Sequence, residues 1–166
     1  ITLLRLRAEF IEDEDERAKT LATLEEMEAM IASTLSFARD DAAKEEHRSI
    51  DLASLIGSIC NDMADAGLPV TFEPTGKLPY ECRAGALKRA VTNLVENAIK
   101  YGDNATVLLI DSDGAVRILV EDQGPGIPES ERETVFTPFY RIDPSRNRET
   151  GGVGLGLSVA QTIAHA

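Results

Sequence analysis

In the stretch NLVENAIKYG, Asn93, Asn97, Lys100 and Tyr101 stand at i, i+4, i+7 and i+8. A helix through them presents two amides, an ammonium and a phenol on one face. An amide oxygen is a hard donor of the kind Mg²⁺ accepts, and a lysine one turn further meets a phosphate as a point charge. A solvated helix face would use the same residue types, so the neighbours decide between the two readings. Downstream, DQGPGIP places Asp122 ahead of Gly124 and Gly126. A carboxylate at a strand end can accept a hydrogen bond from an exocyclic amine such as that of adenine, while the glycines let the backbone pass close to a flat ring.

VFTPFYR then sets Phe136, Phe139 and Tyr140 around Pro138, followed by Arg141. The phenylalanines read as loop anchors packed on the core. IDPSRNRETGG is polar, with Ile142 its one apolar anchor, which is the composition of a mobile lid over an anionic ligand. GGVGLGLS puts four glycines into eight residues and runs into the apolar, helix-like SVAQTIAHA. A glycine-rich turn entering a helix offers bare N–H groups to a phosphate. It is not a P-loop, because Leu157 follows Gly156 where Lys and Ser or Thr are needed, and the spacing fails a dinucleotide fingerprint.

The elements that must position these residues follow from periodicity. Leu3, Leu6 and Phe10 fall at helical spacing, and IEDEDE interrupts the pattern. Leu21, Leu24, Ile31, Leu35 and Ala38 resume it as a coiled-coil-like seam broken only at Glu28. Two helices joined by an acidic turn cannot bury these stripes alone, so a hairpin pairing with a second copy is expected; the alternative is a hairpin folded onto its own domain. DDAAKEEHRS reads as a linker or fraying helix end. Asp51 is a plausible N-cap for a helix carrying Leu52, Leu55, Ile56, Ile59 and Met63 on one face, closed by Gly67. Extended segments around VTFE and PYECR precede a helix over about 84–101 with Leu87, Val91, Leu94, Val95 and Ala98 on its apolar face. ATVLLID and AVRILVED, joined through Ser112-Asp113-Gly114, form a hairpin because Asp-Gly favours a primed turn. Helices and strands mixed without βαβ alternation indicate an α+β sandwich.

Composition narrows the function. Of 166 residues, 17 are basic and 29 acidic, a net charge of −12 that argues against a nucleic-acid or anionic-membrane surface. No run of about 18 apolar residues spans a membrane, and no signal sequence opens the chain. Cys60 and Cys82 form no C-x-x-C pair, and two histidines are too few for a His/Cys metal centre.

The order N-x-x-x-N-A-x-K-Y, D-x-G-x-G-I, F-x-P-F-x-R, G-G-x-G-L-G-L-S resembles the catalytic and ATP-binding domain of sensor histidine kinases of two-component systems. The hairpin resembles the dimerisation and phosphotransfer domain of the same, osmosensor-like family. The resemblance implies a division into residues 1–45 and residues 46–166, the second a GHKL-type sandwich with a mixed sheet layered on three helices. It implies Mg²⁺ at Asn97, with Asn93 on the same polar face near metal and phosphates. Lys100 would meet phosphate, Tyr101 would line the nucleotide pocket, and Asp122 would bind the adenine amine with Gly124 and Gly126 beside the ring. Residues 142–151 would form the lid. Gly152, Gly154 and Gly156, with Leu155 among them, would open onto the phosphates, and Arg141 would reach the γ-phosphate or the partner histidine helix. The implied partners are a second copy of the chain and a response-regulator receiver domain. The implied setting is a cytoplasmic segment, its parent held in the bacterial inner membrane through parts outside this chain.

One requirement of the family is missing. The imidazole that attacks the γ-phosphorus belongs to an H-E-L-R-T-P box. Ile1-Thr2 looks like the residues just after that proline, so the nucleophile is expected roughly six positions before Ile1. His47 and His165 lack the box. The chain also stops before the last strands of such a domain, so both ends read as cut. The alternatives are an ATPase of the related gyrase or chaperone type, which uses a glutamate where Asn93 stands, and an ATP-binding module that regulates without catalysis.

Overall fold

The computed structural model describes residues 2–24, 27, 45–73, 76–112, 115–142 and 153–165. The first helix, α1, spans Thr2–Ala8, and residues 14–24 are helical as α2. The acidic stretch between them starts α2, since Asp13 Oδ1 accepts the Glu16 N–H at 3.0 Å, a carboxylate on the helix's free N–H groups. Leu3, Leu6 and Phe10 are exposed, and Phe10 lies beyond the end of α1 rather than on it. The seam positions Glu28, Ile31, Leu35 and Ala38 lie outside the described residues.

The expected linker ends in structure. Arg48–Asp51 is a strand, β1, paired antiparallel with β3, Pro79–Cys82. Just before it, Glu45 reaches across to α4, Ala84–Gly102: its carboxylate accepts the Gly85 N–H at 2.8 Å and the Ala86 N–H at 3.1 Å. Two of the four orphan donors at the start of α4 are satisfied by a residue forty positions away, and Gly85 lacks the Cβ that would crowd the carboxylate.

Helix α3, Leu52–Asp65, buries Leu52, Ile56, Ile59 and Cys60 at the expected spacing. It stops where Gly67 takes φ +81°. There the Gly67 N–H donates to the Ala64 carbonyl and the Leu68 N–H to the Met63 carbonyl, a Schellman closure. Asp51 occupies the N-cap position, but its carboxylate spends its acceptors elsewhere, on Ser54 Oγ at 2.7 Å and the Leu78 N–H at 3.0 Å. Those two bonds hold its pKa below the usual carboxylate value.

A three-stranded sheet carries the core. β2, Val70–Glu73, runs parallel to β4, Ala105–Ser112, which pairs antiparallel with β5, Ala115–Glu121. The Ser112–Ala115 pair leaves a two-residue connection, and the turn residues themselves lie outside the described set. Ala105, Val107 and Leu109 alternate inward along β4 and meet Ile56, Val91 and Val95 from α3 and α4. The last helix, α5, Gly156–Ala164, packs against α4. The result is the expected α+β arrangement: a three-stranded mixed sheet faced by α3 and α4, with α5 packed on α4 and β1 and β3 forming a separate two-stranded sheet.

Candidate functional site

Helix α4 organises the site because its two faces have different jobs. Val91, Val95 and Ala98 are buried against the sheet, which fixes the rotation of the helix about its axis. Asn93 and Asn97 then lie beside the buried stripe, each half-buried. Asn93 faces the start of α5: a Cβ built on Gly156 would stand 3.8 Å from its Oδ1. The first and last boxes of the sequence, some sixty residues apart, therefore meet at one helix N-terminus.

The other end of α4 meets the strand-end carboxylate. A Cβ on Gly102 would sit 2.4 Å from Asp122 Cβ and 2.5 Å from its Oδ1. Asp122 is held there by the Gly124 N–H, which donates to Oδ1 at 2.8 Å and leaves the second carboxylate oxygen for another donor. Gly124 is itself tight, since a Cβ would stand 2.6 Å from the Tyr101 carbonyl. Gly126 adopts φ +75°. Asp103 closes α4 at φ 63°, a left-handed conformation that Asp tolerates better than most residues.

Lys100 folds over Tyr101, its Nζ 5.2 Å from the ring centroid. Burial, and secondarily the charge of Arg141, lower its pKa. Among the described residues no group of three or more His, Cys, Asp or Glu gathers to hold a metal.

Phe139 corrects a sequence expectation. It is 58% exposed, not a core anchor, and its backbone sits at φ 66°. Its N–H donates to the Gly154 carbonyl at 2.9 Å, and Gly154, at φ +75°, leaves no room for a side chain beside the Tyr140 carbonyl. Phe136 is half-buried. Leu155 is buried, so only its backbone is open to a ligand. Residues 143–152, which include Gly152 and nearly all of the expected lid, lie outside the described residues.

A cavity of about 750 Å³ opens elsewhere, along α3 and β2, lined by Asp51, Gly57, Asn61, Phe72 and Lys77 among others. It includes no residue of α4 or of the Asp122 loop, and it is walled mainly by small side chains.

A family model described as histidine kinase-, DNA gyrase B- and HSP90-like ATPase matches residues 82–166, from the end of β3 through the last helix. The chain belongs to that family. Within the histidine kinase-like ATPases it is similar to the sensor histidine kinase GtrS of Pseudomonas aeruginosa, 39% identical over 99% of this chain and 34% of that protein. The chain thus spans about a third of that relative's length. Among solved structures it is similar to the mycobacterial sensor histidine kinase MprB, with 28% identity and a TM-score of 0.57 over 72% of this chain and 78% of that one. The ATP binding domain of PrrB from Mycobacterium tuberculosis gives 27% identity and a TM-score of 0.58 over 72% and 80%. The resemblance to two-component sensor kinases and the expected sandwich are both borne out.

Sequence reasoning gave Gly102 no role, although it ends the quoted stretch NLVENAIKYG. A histidine kinase-like ATPase with Gly102→Ala must push Asp122 and its loop away from α4. The expected cost is about 1–3 kcal/mol of stability, read as a lowered urea midpoint, together with at least about tenfold weaker nucleotide binding. An unchanged midpoint and affinity would show that the contact between α4 and Asp122 is dispensable.

Proposed function

We propose that this chain is the kinase core of a two-component sensor histidine kinase, with residues 1–45 the dimerising hairpin and residues 46–166 the ATP-binding domain. It binds Mg·ATP, and the γ-phosphoryl group passes to a histidine outside the chain and then to a response-regulator aspartate. The observation that carries this reading is the convergence on α4: Asp122 wedged against Gly102 at one point, and Asn93 facing the Gly156 helix N-terminus at another. A purine amine and a triphosphate are the two ends of one ligand that such a pair of features suits. Exposed Leu3 and Leu6 on α1 supply apolar surface for a second copy.

Each residue has a defined task in that scheme. Asp122 accepts from the adenine amine through its remaining oxygen, and Gly124 and Gly126 flank the ring. Tyr101 borders the pocket, while Lys100, Arg141 and the N–H groups around Gly152, Gly154, Leu155 and Gly156 hold phosphate oxygens. Asn97, with Asn93 beside it, supplies the amide oxygen that Mg²⁺ takes; the ion neutralises phosphate charge when bound. In the transfer itself an imidazole nitrogen forms a bond to the γ-phosphorus, the bond from that phosphorus to the β,γ-bridging oxygen breaks, ADP leaves, and the imidazole proton is lost. The chain's contribution is positioning and charge neutralisation. An amide at Asn93 cannot take a proton from water, which favours phosphotransfer over the ATPase reading.

Mixed dimers test the proposal: this chain paired with a sensor-kinase chain that keeps its histidine but has a disabled nucleotide site. The expected result with γ-labelled ATP is acid-labile label on the partner's histidine. Mixed dimers that hold nucleotide yet transfer no label would overturn the kinase reading.

A further inference from the structure

The segment carrying Arg141 is held in a conformation that is unfavourable by itself. Phe139 takes a left-handed φ of 66°, a conformation that is strained for a residue with a Cβ, and its ring is left 58% exposed. Such a conformation persists only where neighbouring bonds over-determine it. Three such bonds are present, one of them from the Tyr140 N–H to the Thr137 carbonyl at 3.1 Å. The Phe139 N–H donates to the Gly154 carbonyl at 2.9 Å, and the next residue, Tyr140, turns inward and donates its hydroxyl to the Glu131 carboxylate. Glu131 lies in a 3-10 turn, Glu129–Glu131, that follows the Asp122 loop directly; at its end Arg132 Nε donates to the Ile127 carbonyl at 3.4 Å. The Tyr140 hydroxyl is thus tied to the adenine-side loop, while the backbone one residue earlier is tied to the phosphate-side glycines.

We infer that Glu131 is a positioning residue: through Tyr140 it helps hold the turn at Phe139, and with it the adjoining Arg141, in place to meet the terminal phosphate of a nucleoside triphosphate. Nothing in the composition of ESERE marks Glu131 from its acidic neighbours Glu129 and Glu133. The assignment comes from the one hydroxyl that reaches it. The electrostatic effect of Arg141 on Lys100 fits the same placement. The inference rests on the nucleotide-binding reading above, and it adds a residue that never touches the nucleotide yet sets discrimination between triphosphate and diphosphate.

Titration calorimetry of the 166-residue chain with Mg·ATP and Mg·ADP separates the possibilities. For Glu131→Ala and for Tyr140→Phe the expected result is about a fivefold or greater loss of ATP affinity with ADP affinity unchanged, the latter also reporting an intact fold. Glu131→Gln keeps an acceptor for the Tyr140 hydroxyl and is expected to recover most of the loss. The double variant should be no worse than either single one, because the two residues act as a unit. Arg141→Ala should reproduce the same ATP-selective loss. If Arg141→Ala loses ATP selectivity while Glu131→Ala and Tyr140→Phe keep it, the positioning role is overturned and the nucleotide reading stands. If Arg141→Ala also keeps it, the placement of Arg141 at the terminal phosphate is overturned. If the unaltered chain binds neither nucleotide, the proposed function fails first.

Discussion

Asn97→Ala should abolish the Mg²⁺-dependent part of ATP binding. In calorimetry the unaltered chain should bind ATP much more tightly with Mg²⁺ than with a chelator present, and the variant should bind equally weakly in both. The expected loss in Mg²⁺ is at least about a hundredfold, the upper range for removing even an outer-shell partner of a metal site. The size follows from the donor set. Among the described residues no cluster of three or more acidic, His or Cys side chains gathers to hold the ion in place of the α4 amides. Asn93 cannot take over unchanged, because it sits one turn away against Gly156. The substitution should leave the fold intact, since Asn97 is beside the buried stripe of α4 rather than in it, and alanine favours helix. An unchanged affinity in Mg²⁺ would remove Asn97 from the site.

What the sequence made legible and what it hid divide along separation in the chain. The stripe Leu52, Ile56, Ile59, the stop at Gly67 and the two-residue connection between β4 and β5 are local signals, and each reappears where periodicity and turn chemistry place it. Strand β1 was hidden because RSID has no apolar alternation of its own; it becomes a strand by pairing with β3, some thirty residues on. The cap of α4 was hidden for the same reason, since the residue before the helix, Arg83, makes no capping bond and the acceptor arrives from Glu45. Phe139 misled because an aromatic residue between apolar neighbours normally packs inward, whereas here its backbone bond to Gly154 turns the ring out. The site divides likewise. Residue types and order supplied its members, but that Gly102 must be bare for Asp122 to fit, and that Glu131 holds Tyr140, are facts of tertiary contact.

Asp122→Ala should weaken ATP by about 10- to 150-fold, the range corresponding to a lost hydrogen bond to a charged group of about 1.5–3 kcal/mol. The fold should survive, because the side chain is exposed and its one internal bond is to a neighbouring loop N–H. The sharper variant is Asp122→Asn. With the Gly124 N–H already claiming one oxygen, the amide would keep its carbonyl on that donor and turn its NH₂ toward the ligand. Two donors would then face each other across the adenine amine, so Asn should be nearly as damaging as Ala for ATP. Guanine presents an acceptor where adenine presents that amine, and the same variant should therefore lose its preference for ATP over GTP, or reverse it. Competition between the two nucleotides, measured on the unaltered chain and on Asp122→Asn, reads this directly. Equal binding of ATP and GTP by the unaltered chain would contradict the role of Asp122, because a carboxylate aimed at an amine cannot be indifferent to a carbonyl in its place.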